Sequence, residues 1–272
     1  YATIDRWAFG ESTDGAYTSE RSTDTPTGTG FSIKAQVTTA DTSLAAGQYA
    51  YIWQSIEAQN LQSLLYGTAS AKTLTLSFWV KSSKTGTYSI VIRKNDSTLY
   101  AFTHDYSISS ANTWEKKTIT ITPTAGSTSF ITASAGAIAN DNGLGFEVIF
   151  ALGQGSTYAV GTSNTWSSNS NTYASSNQVN WMDSTSNNFY LSQVQLEIGD
   201  VATPFEHEDY ATTLRKCQRY FQEYISYKLY FNGTNEPSSE VGNSRLLPVV
   251  MRAVPTVGNK TSTHGSVGAY SA

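Results

Sequence analysis

The sequence predicts an all-β chain: a jelly-roll β-sandwich, then a connecting helix, then a small β-rich C-terminal segment. Apolar and polar residues alternate in eight or so short runs divided by turn residues, the pattern of a two-sheet sandwich. Charged residues are 14% of the 272, against about a quarter in an ordinary soluble chain. Ser, Thr, Asn, Gln and Gly must therefore cover the surface. A clear helical period is confined to the stretch from Asp209 onward. The expected division is a sandwich over 1–205, a linker and helix over 206–225, and a β-rich tail over 226–272.

In order, IDRWAF reads as an opening strand, followed by a long Ser/Thr/Gly loop. Phe31, Ile33, Ala35 and Val37 alternate with Ser32, Lys34 and Gln36, a half-buried strand. From Gln48 to Ile56, Tyr49, Tyr51 and Trp53 share one face, while Ile52, Gln54 and Ile56 share the other. Ala58–Tyr66 predicts one or two helical turns closing an end of the sandwich. The strongest strand is Leu74–Val80: Leu74, Leu76, Phe78 and Val80 point one way, Thr75, Ser77 and Trp79 the other. Tyr88–Arg93 follows it, and Thr98–Tyr106 returns after a hairpin at Asn95-Asp96. A strand led by Trp114 runs to Ile121 and stops before Pro123. Leu144, Phe146, Val148 and Phe150 alternate again, with Glu147 opposite.

Residues 153–188 are a long polar stretch of little period that carries Tyr158, Trp166, Tyr173 and Trp181. So long a connection is uncommon without a task. Its aromatics are either anchors that pack the loop or a contact surface. In 189–198, Val194, Leu196 and Ile198 alternate with Gln193, Gln195 and Glu197, giving one dry face. The first and last strands, near residues 4 and 194, are expected to pair. From Asp209, Leu214, Cys217, Phe221 and Tyr224 fall three to four apart, a helical stripe expected to serve assembly. The tail is too poor in core residues to fold alone and must pack on the sandwich or on a partner chain.

The formal charge of −4 and the dispersed Lys and Arg give no basic footprint for nucleic acid. With one cysteine there is no intrachain disulfide and no Cys-based metal site. No apolar run approaches the roughly 20 residues of a membrane span. The chain opens at YATIDRW without Met, which suggests a processed or truncated form. EHED at 206–209 reads as an exposed linker and NDN at 140–142 as a turn. Glu147 lacks the facing carboxylate that glycoside hydrolysis requires, so no enzyme is expected.

LTLSFWVKS at 74–82, the Trp114 strand into ITITP, and YLSQVQLEIGDVATPFE at 190–206 resemble the carbohydrate-binding-module-like jelly rolls of phage structural proteins. LRKCQRYF and LPVVMRAVPTV look like the connecting helix and C-terminal segment that accompany that domain in phage tail fibres. The resemblance implies a non-enzymatic viral structural protein on the tail or capsid exterior, a homotrimer contacting other virion proteins. It also implies, as the alternative, a module that recognises host surface glycans through exposed aromatics. Trp53, Trp79, Trp166, Tyr173 and Trp181 are the candidates for stacking on sugar, with Tyr49 and Tyr51 beside them. Trp7 and Trp114 are expected in the core. Such modules commonly carry a structural calcium, for which Asp5, Asp14, Glu197 and Asp200 are the available carboxylates. The family's usual Asp ahead of the last strand's Val is Gln193 in this chain.

Overall fold

A computed structural model describes residues 6–28, 30–222 and 247–254. The chain divides into two compact units, Tyr1–Glu206 and His207–Ala272. Among the described residues of the first, eleven strands form two antiparallel sheets. They are β1 (Trp7–Ser12), β2 (Ala16–Ser22), β3 (Ser32–Thr39), β4 (Tyr49–Glu57), β5 (Leu74–Ser82), β6 (Gly86–Lys94), β7 (Tyr100–Ile108), β8 (Glu115–Ile121), β9 (Leu144–Gln154), β10 (Thr165–Ser167) and β11 (Asn188–Ile198). One sheet has the order β1-β4-β9-β6-β7-β10, the other β2-β3-β11-β5-β8. The chain passes from one sheet to the other at β1–β2, β3–β4, β4–β5, β5–β6, β7–β8, β8–β9 and β10–β11. This is the jelly-roll sandwich that the alternating pattern predicts.

The core lies between the sheets. Ile52, Phe146, Phe150, Ile90 and Phe102 of the six-stranded sheet, all at most 1% exposed, share it with Leu76, Phe78, Val80 and Phe189 of the other. Phe78 meets Phe150 edge-on at 5.0 Å and Tyr106 at 5.2 Å, so one side chain of β5 ties both sheets together. Each such burial contributes about 1.5–3 kcal/mol. Ala58–Leu64 forms the expected short turn, a 3-10 helix that buries Leu61 and Leu64.

Two strands differ from expectation. The stretch after β1 holds β2, which pairs with β3 along its length. Its polar sequence conceals it, because an edge strand anchored by one aromatic needs no apolar run. That anchor is Tyr17, whose ring meets Trp181 edge-on at 5.7 Å. Its hydroxyl donates to the carbonyls of Gly10 and Tyr51 at 3.2 and 3.0 Å.

β11 does not pair with β1. It sits centrally between β3 and β5, while β1 joins β4 at the edge of the other sheet. A bulge explains the arrangement. Pairing runs Ser192 to Trp79 and resumes at Gln195 to Ser77, with Gln193 at φ 51° between them. The extra residue swaps the faces. Phe189 and Leu191 are buried before it, and Val194 and Leu196 pack on the core after it. Ile198, expected on the dry face, is 49% exposed at the strand end.

Residues 155–187 are tied to the six-stranded sheet, which Thr165–Ser167 extends as its edge strand β10 beside β7. Asn164 N donates to Thr103 O at 2.7 Å and Val179 N to Thr87 O at 2.9 Å. Asp105 accepts from Ser89 Oγ and Ser175 Oγ, both at 2.8 Å, and from Asn177 Nδ2 at 3.0 Å. The segment is thus pinned to strands β6 and β7 by hydrogen bonds that leave no period in its sequence.

In the second unit, α1 (Tyr210–Gln218) begins at Asp209, whose carboxylate caps Thr212 N at 3.0 Å. Those Thr212 hydrogen bonds hold the Asp209 carboxyl below the usual range. Arg215 and Lys216 occupy the last turn, where the dipole favours cations. Lys216 also pairs with Glu208. Leu214 and Phe221 are 39% and 69% exposed, and Cys217 is half-buried. Tyr224 lies outside the described residues. No helix of the described residues is long and apolar enough to cross a membrane.

Candidate functional site

The outward face of the six-stranded sheet carries a row of aromatics. Alternation along β4 sends Ala50 and Ile52 into the core and Tyr49, Tyr51 and Trp53 to the other face. Their ring centroids follow one another at 5.2 Å and 5.2 Å, with interplanar angles of 30° and 61°. Beside them β1 presents Ala8, Gly10 and Ser12, in register with Trp53, Tyr51 and Tyr49. Gly10 gives the rings room there. A Cβ at that position would approach the Tyr51 ring to 2.9 Å and the Trp53 ring to 3.1 Å. The row therefore leans over an edge strand of small residues. Tyr51 and Trp53 are seated on Val91, Ala101 and Ile149, a small buried patch on the outward face.

The covering segment extends the row. Tyr173 stacks on Tyr51 at 5.5 Å and 28°, and Tyr158 stands edge-on to both Tyr49 and Tyr173 at 5.5 and 5.4 Å. Tyr49, Tyr51, Tyr158 and Tyr173 line a cavity of about 140 Å³. Behind Tyr173 lies Arg93 of β6, 7% exposed, with its guanidinium 4.2 Å from the ring centroid. It also donates to the Tyr173 hydroxyl. Glu147 of β9 faces Arg93 across the ladder, at 3.4 Å, and accepts from Asn95 Nδ2 at 2.8 Å. This pairing makes Glu147 a charge partner of Arg93. Burial, then the neighbouring phenols Tyr173 and Tyr49 and the Glu147 carboxylate, push the Tyr51 phenol well above its ordinary value. Burial also raises Tyr173, against the pull of Arg93.

Among the expected stacking residues, Trp53 and Tyr173 belong to this face and are half-buried. Trp166 and Trp181 do not. They are 1% and 0% exposed and belong to the core, where no sugar ring reaches them. Trp166 packs on Phe102 at 5.6 Å and donates Nε1–H to Thr122 O at 2.9 Å. The two tryptophans anchor the long segment, and its two tyrosines form the surface. Tyr158 is absent from the expected set. Its signal was its company, an aromatic in a polar stretch beside others, which does not say which of them face outward.

Trp79 lies half-buried on the outward face of the other sheet, in register with Ser192 and Lys116. Trp114, expected in the core, is half-buried on that sheet too. It meets Tyr190 at 6.1 Å and donates Nε1–H to Asp24 at 3.0 Å. Lys81 pairs with Asp24 and stands 4.3 Å from the Tyr190 ring centroid. The Lys81 hydrogen bond, with that of Trp114, holds the Asp24 carboxyl low. Trp114 precedes β8 at its edge, and an indole there has a polar partner within reach that the core would deny it.

Three of the four carboxylates named for calcium, Asp14, Glu197 and Asp200, lie among the described residues. Glu197 accepts from Thr203 N at 2.9 Å and Thr203 Oγ1 at 2.7 Å, contacts that lower its carboxyl. Asp14 and Asp200 join no group of three or more acidic, His or Cys side chains among the described residues. Asp5 lies outside those residues.

The class is thus an antiparallel jelly-roll sandwich with an aromatic outward face on its six-stranded sheet. No family model matches the chain, and no curated protein matches it. Solved structures do. One is the enzymatically active domain of tailspike protein 4 of bacteriophage CBA120, at 14% identity and TM-score 0.36, over 71% of this chain. The match spans 19% of that tailspike chain. Another is the family 11 carbohydrate-binding module of Clostridium thermocellum, in complex with a β-1,3-1,4-mixed-linked tetrasaccharide. It is 14% identical with TM-score 0.38, over 75% of this chain and 94% of that one. A structure described as a family 4 carbohydrate-binding module matches at 12% identity and TM-score 0.36, over 73% and 90%.

Proposed function

We propose that the sandwich is a glycan-binding module, its ligand lying along Tyr49, Tyr51 and Trp53 on the six-stranded sheet. The row itself carries this reading: three half-buried aromatics on one strand, with centroids 5.2 Å apart, beside an edge strand of small residues. Sugar rings present flat C–H faces that rest on aromatic faces, while their hydroxyls remain in water. A row seated on a buried patch is held still before the ligand arrives, which lowers the ordering cost of binding. A glycan array followed by titration calorimetry tests it. Trp53→Ala is expected to weaken the best ligand about tenfold, with the circular dichroism spectrum unchanged, and Trp79→Ala on the other sheet is expected to leave affinity intact. Full affinity in Trp53→Ala, or equal loss in both variants, overturns the assignment.

A second reading concerns the second unit. Its helix leaves Tyr210 80% and Leu214 39% exposed, and Phe221, past the end of the helix, is 69% exposed. These are the side chains of the apolar helical stripe and its continuation. We infer that this unit attaches the sandwich to copies of itself, as a homotrimer, and to other proteins at a virion exterior. Sedimentation equilibrium at micromolar concentration is expected to give a trimer that Leu214→Glu with Phe221→Glu dissociates. A monomeric wild-type chain removes the attachment reading.

A further inference from the structure

Past Trp53 the outward face of β4 changes from aromatic to polar. Its next side chain there is Ser55, which is exposed, and the ladder partner of Ser55 on β9 is Glu147. Trp53 pairs with Ile149, the following outward residue of β9. Glu147 therefore lies about 7 Å further along the row than the indole. A chain resting on Tyr49, Tyr51 and Trp53 and running along β4 meets Ser55 and Glu147 next. The charge of Glu147 also reaches the row. Burial is the first cause that raises the Tyr51 and Tyr173 phenols, and the Glu147 carboxylate adds to it in both.

The Glu147–Arg93 pair is oriented. The Arg93 side chain is 9% exposed and that of Glu147 18%. Arg93 Nη1 donates to Glu147 Oε2 at 3.4 Å and to the Tyr173 hydroxyl, and Nη2 donates to Ser170 O at 3.2 Å. Its Nε is buried without an acceptor among the described residues. The cation is thus turned inward against the Tyr173 ring. Glu147 Oε2 is taken by Arg93 and by Asn95 Nδ2 at 2.8 Å. Oε1 takes no bond from the described residues and is not buried. The pair therefore shows a ligand one oxygen of an anion, held in place through the other. A carboxylate oxygen only accepts. It takes hydroxyl donors in charge-assisted bonds roughly twice as strong as neutral ones, and it repels a second anion.

We propose that Glu147 is the specificity-determining residue at the Trp53 end of the row. Its Oε1 accepts from hydroxyls of the sugar unit beyond Trp53, and its charge excludes units that carry a carboxylate or sulfate there. The ligand class is thereby a neutral glycan. This rests on the sugar row described above, and the test separates the two.

The probes for calorimetric titration of the full chain at pH 7 are the best binder from the glycan array and its oxidised form. Oxidation converts its primary alcohols to uronic acids; for a pentosan, the glucuronic-acid-substituted polymer takes that place. Wild type is expected to bind the neutral form about tenfold more tightly at about 20 mM NaCl, a gap that narrows at about 500 mM as charge repulsion is screened. Glu147→Gln keeps an acceptor for Arg93 and Asn95. It is expected to weaken the neutral ligand about three- to tenfold and to bring the neutral-to-acidic ratio near one, with the circular dichroism spectrum unchanged. Trp53→Ala is expected to weaken both forms while keeping their ratio. A ratio that Glu147→Gln leaves unchanged while Trp53→Ala still loses affinity overturns the role of Glu147 and spares the row. Should Glu147→Gln fail to fold, the wild-type salt series decides, and a gap indifferent to salt overturns the proposal. An acidic glycan as the best binder overturns it outright, and binding to no glycan overturns it together with the row.

Discussion

Above pH 10 the sandwich is expected to unfold cooperatively within about two pH units. Tyr17, Tyr66, Tyr88 and Tyr106 are held in the sandwich, and burial raises each phenol well above its ordinary value. The unfolded chain loses these protons near pH 10, and the folded chain keeps them. Their stabilising effect is therefore complete below pH 10 and is lost as pH rises beyond it. Each contributes about 1.4 kcal/mol per pH unit. Four together remove about 5–6 kcal/mol per unit, against a total stability of about 5–15 kcal/mol. Lys94 acts in the opposite direction. Its side chain is fully buried, and burial lowers it to about 8. The unfolded chain thus holds the Lys94 proton up to about pH 10.4, and stability rises between the two values. Lys94 Nζ donates to Thr98 O at 2.9 Å, a bond that a neutral amine still makes. One lysine is outweighed by four tyrosines. Urea titrations in steps from pH 7 to 12 are expected to give a shallow rise and then a steep fall. A late class of tyrosines should ionise together with the loss of circular dichroism. Ionisation of every tyrosine near pH 10 with the spectrum intact contradicts this account.

The sequence shows strands where one face is dry and hides them where the structure uses other means. β5 is legible because Leu74, Leu76, Phe78 and Val80 all enter the core while Trp79 stays outside it. β11 is half legible. Its alternation is correct on each side of Gln193, but a bulge reverses the faces, and no local composition marks it. β2 is hidden because its partner is the backbone of β3 and its anchor is Tyr17 alone among polar residues. The site follows the same division. Tyr49, Tyr51 and Trp53 follow from period two on β4. Tyr158 and Tyr173 reach them through a segment whose register is set by side-chain and backbone hydrogen bonds, such as Ser175 to Asp105. Those contacts join residues 70 apart in sequence, so no window of the chain displays them.

The same segment explains why two tryptophans in a polar stretch went inward, and it predicts that they will respond differently to the same replacement. Trp166→Ala and Trp181→Ala are each expected to cost about 3–5 kcal/mol, the range for emptying a large aromatic site. Both are fully enclosed, Trp166 against Phe102 and Tyr66, Trp181 against Tyr17. Replacement by Phe separates the ring from its N–H. Trp166 Nε1 donates to Thr122 O at 2.9 Å, so Trp166→Phe loses that bond, and Thr122 O keeps only the one from Ala125 N at 3.1 Å. Trp181 Nε1 is buried with no acceptor among the described residues. A donor left in that state costs about 1–3 kcal/mol, and Trp181→Phe removes the cost along with part of the ring. The two Phe variants lose the same volume, so their difference isolates the hydrogen bond. Trp166→Phe is expected to be the less stable by about 1–3 kcal/mol in urea denaturation at pH 7. Equal stability of the two would show that the indole N–H of Trp181 has an acceptor in solution. Its ring would then be held as Trp166 is, by a polar contact as well as by packing.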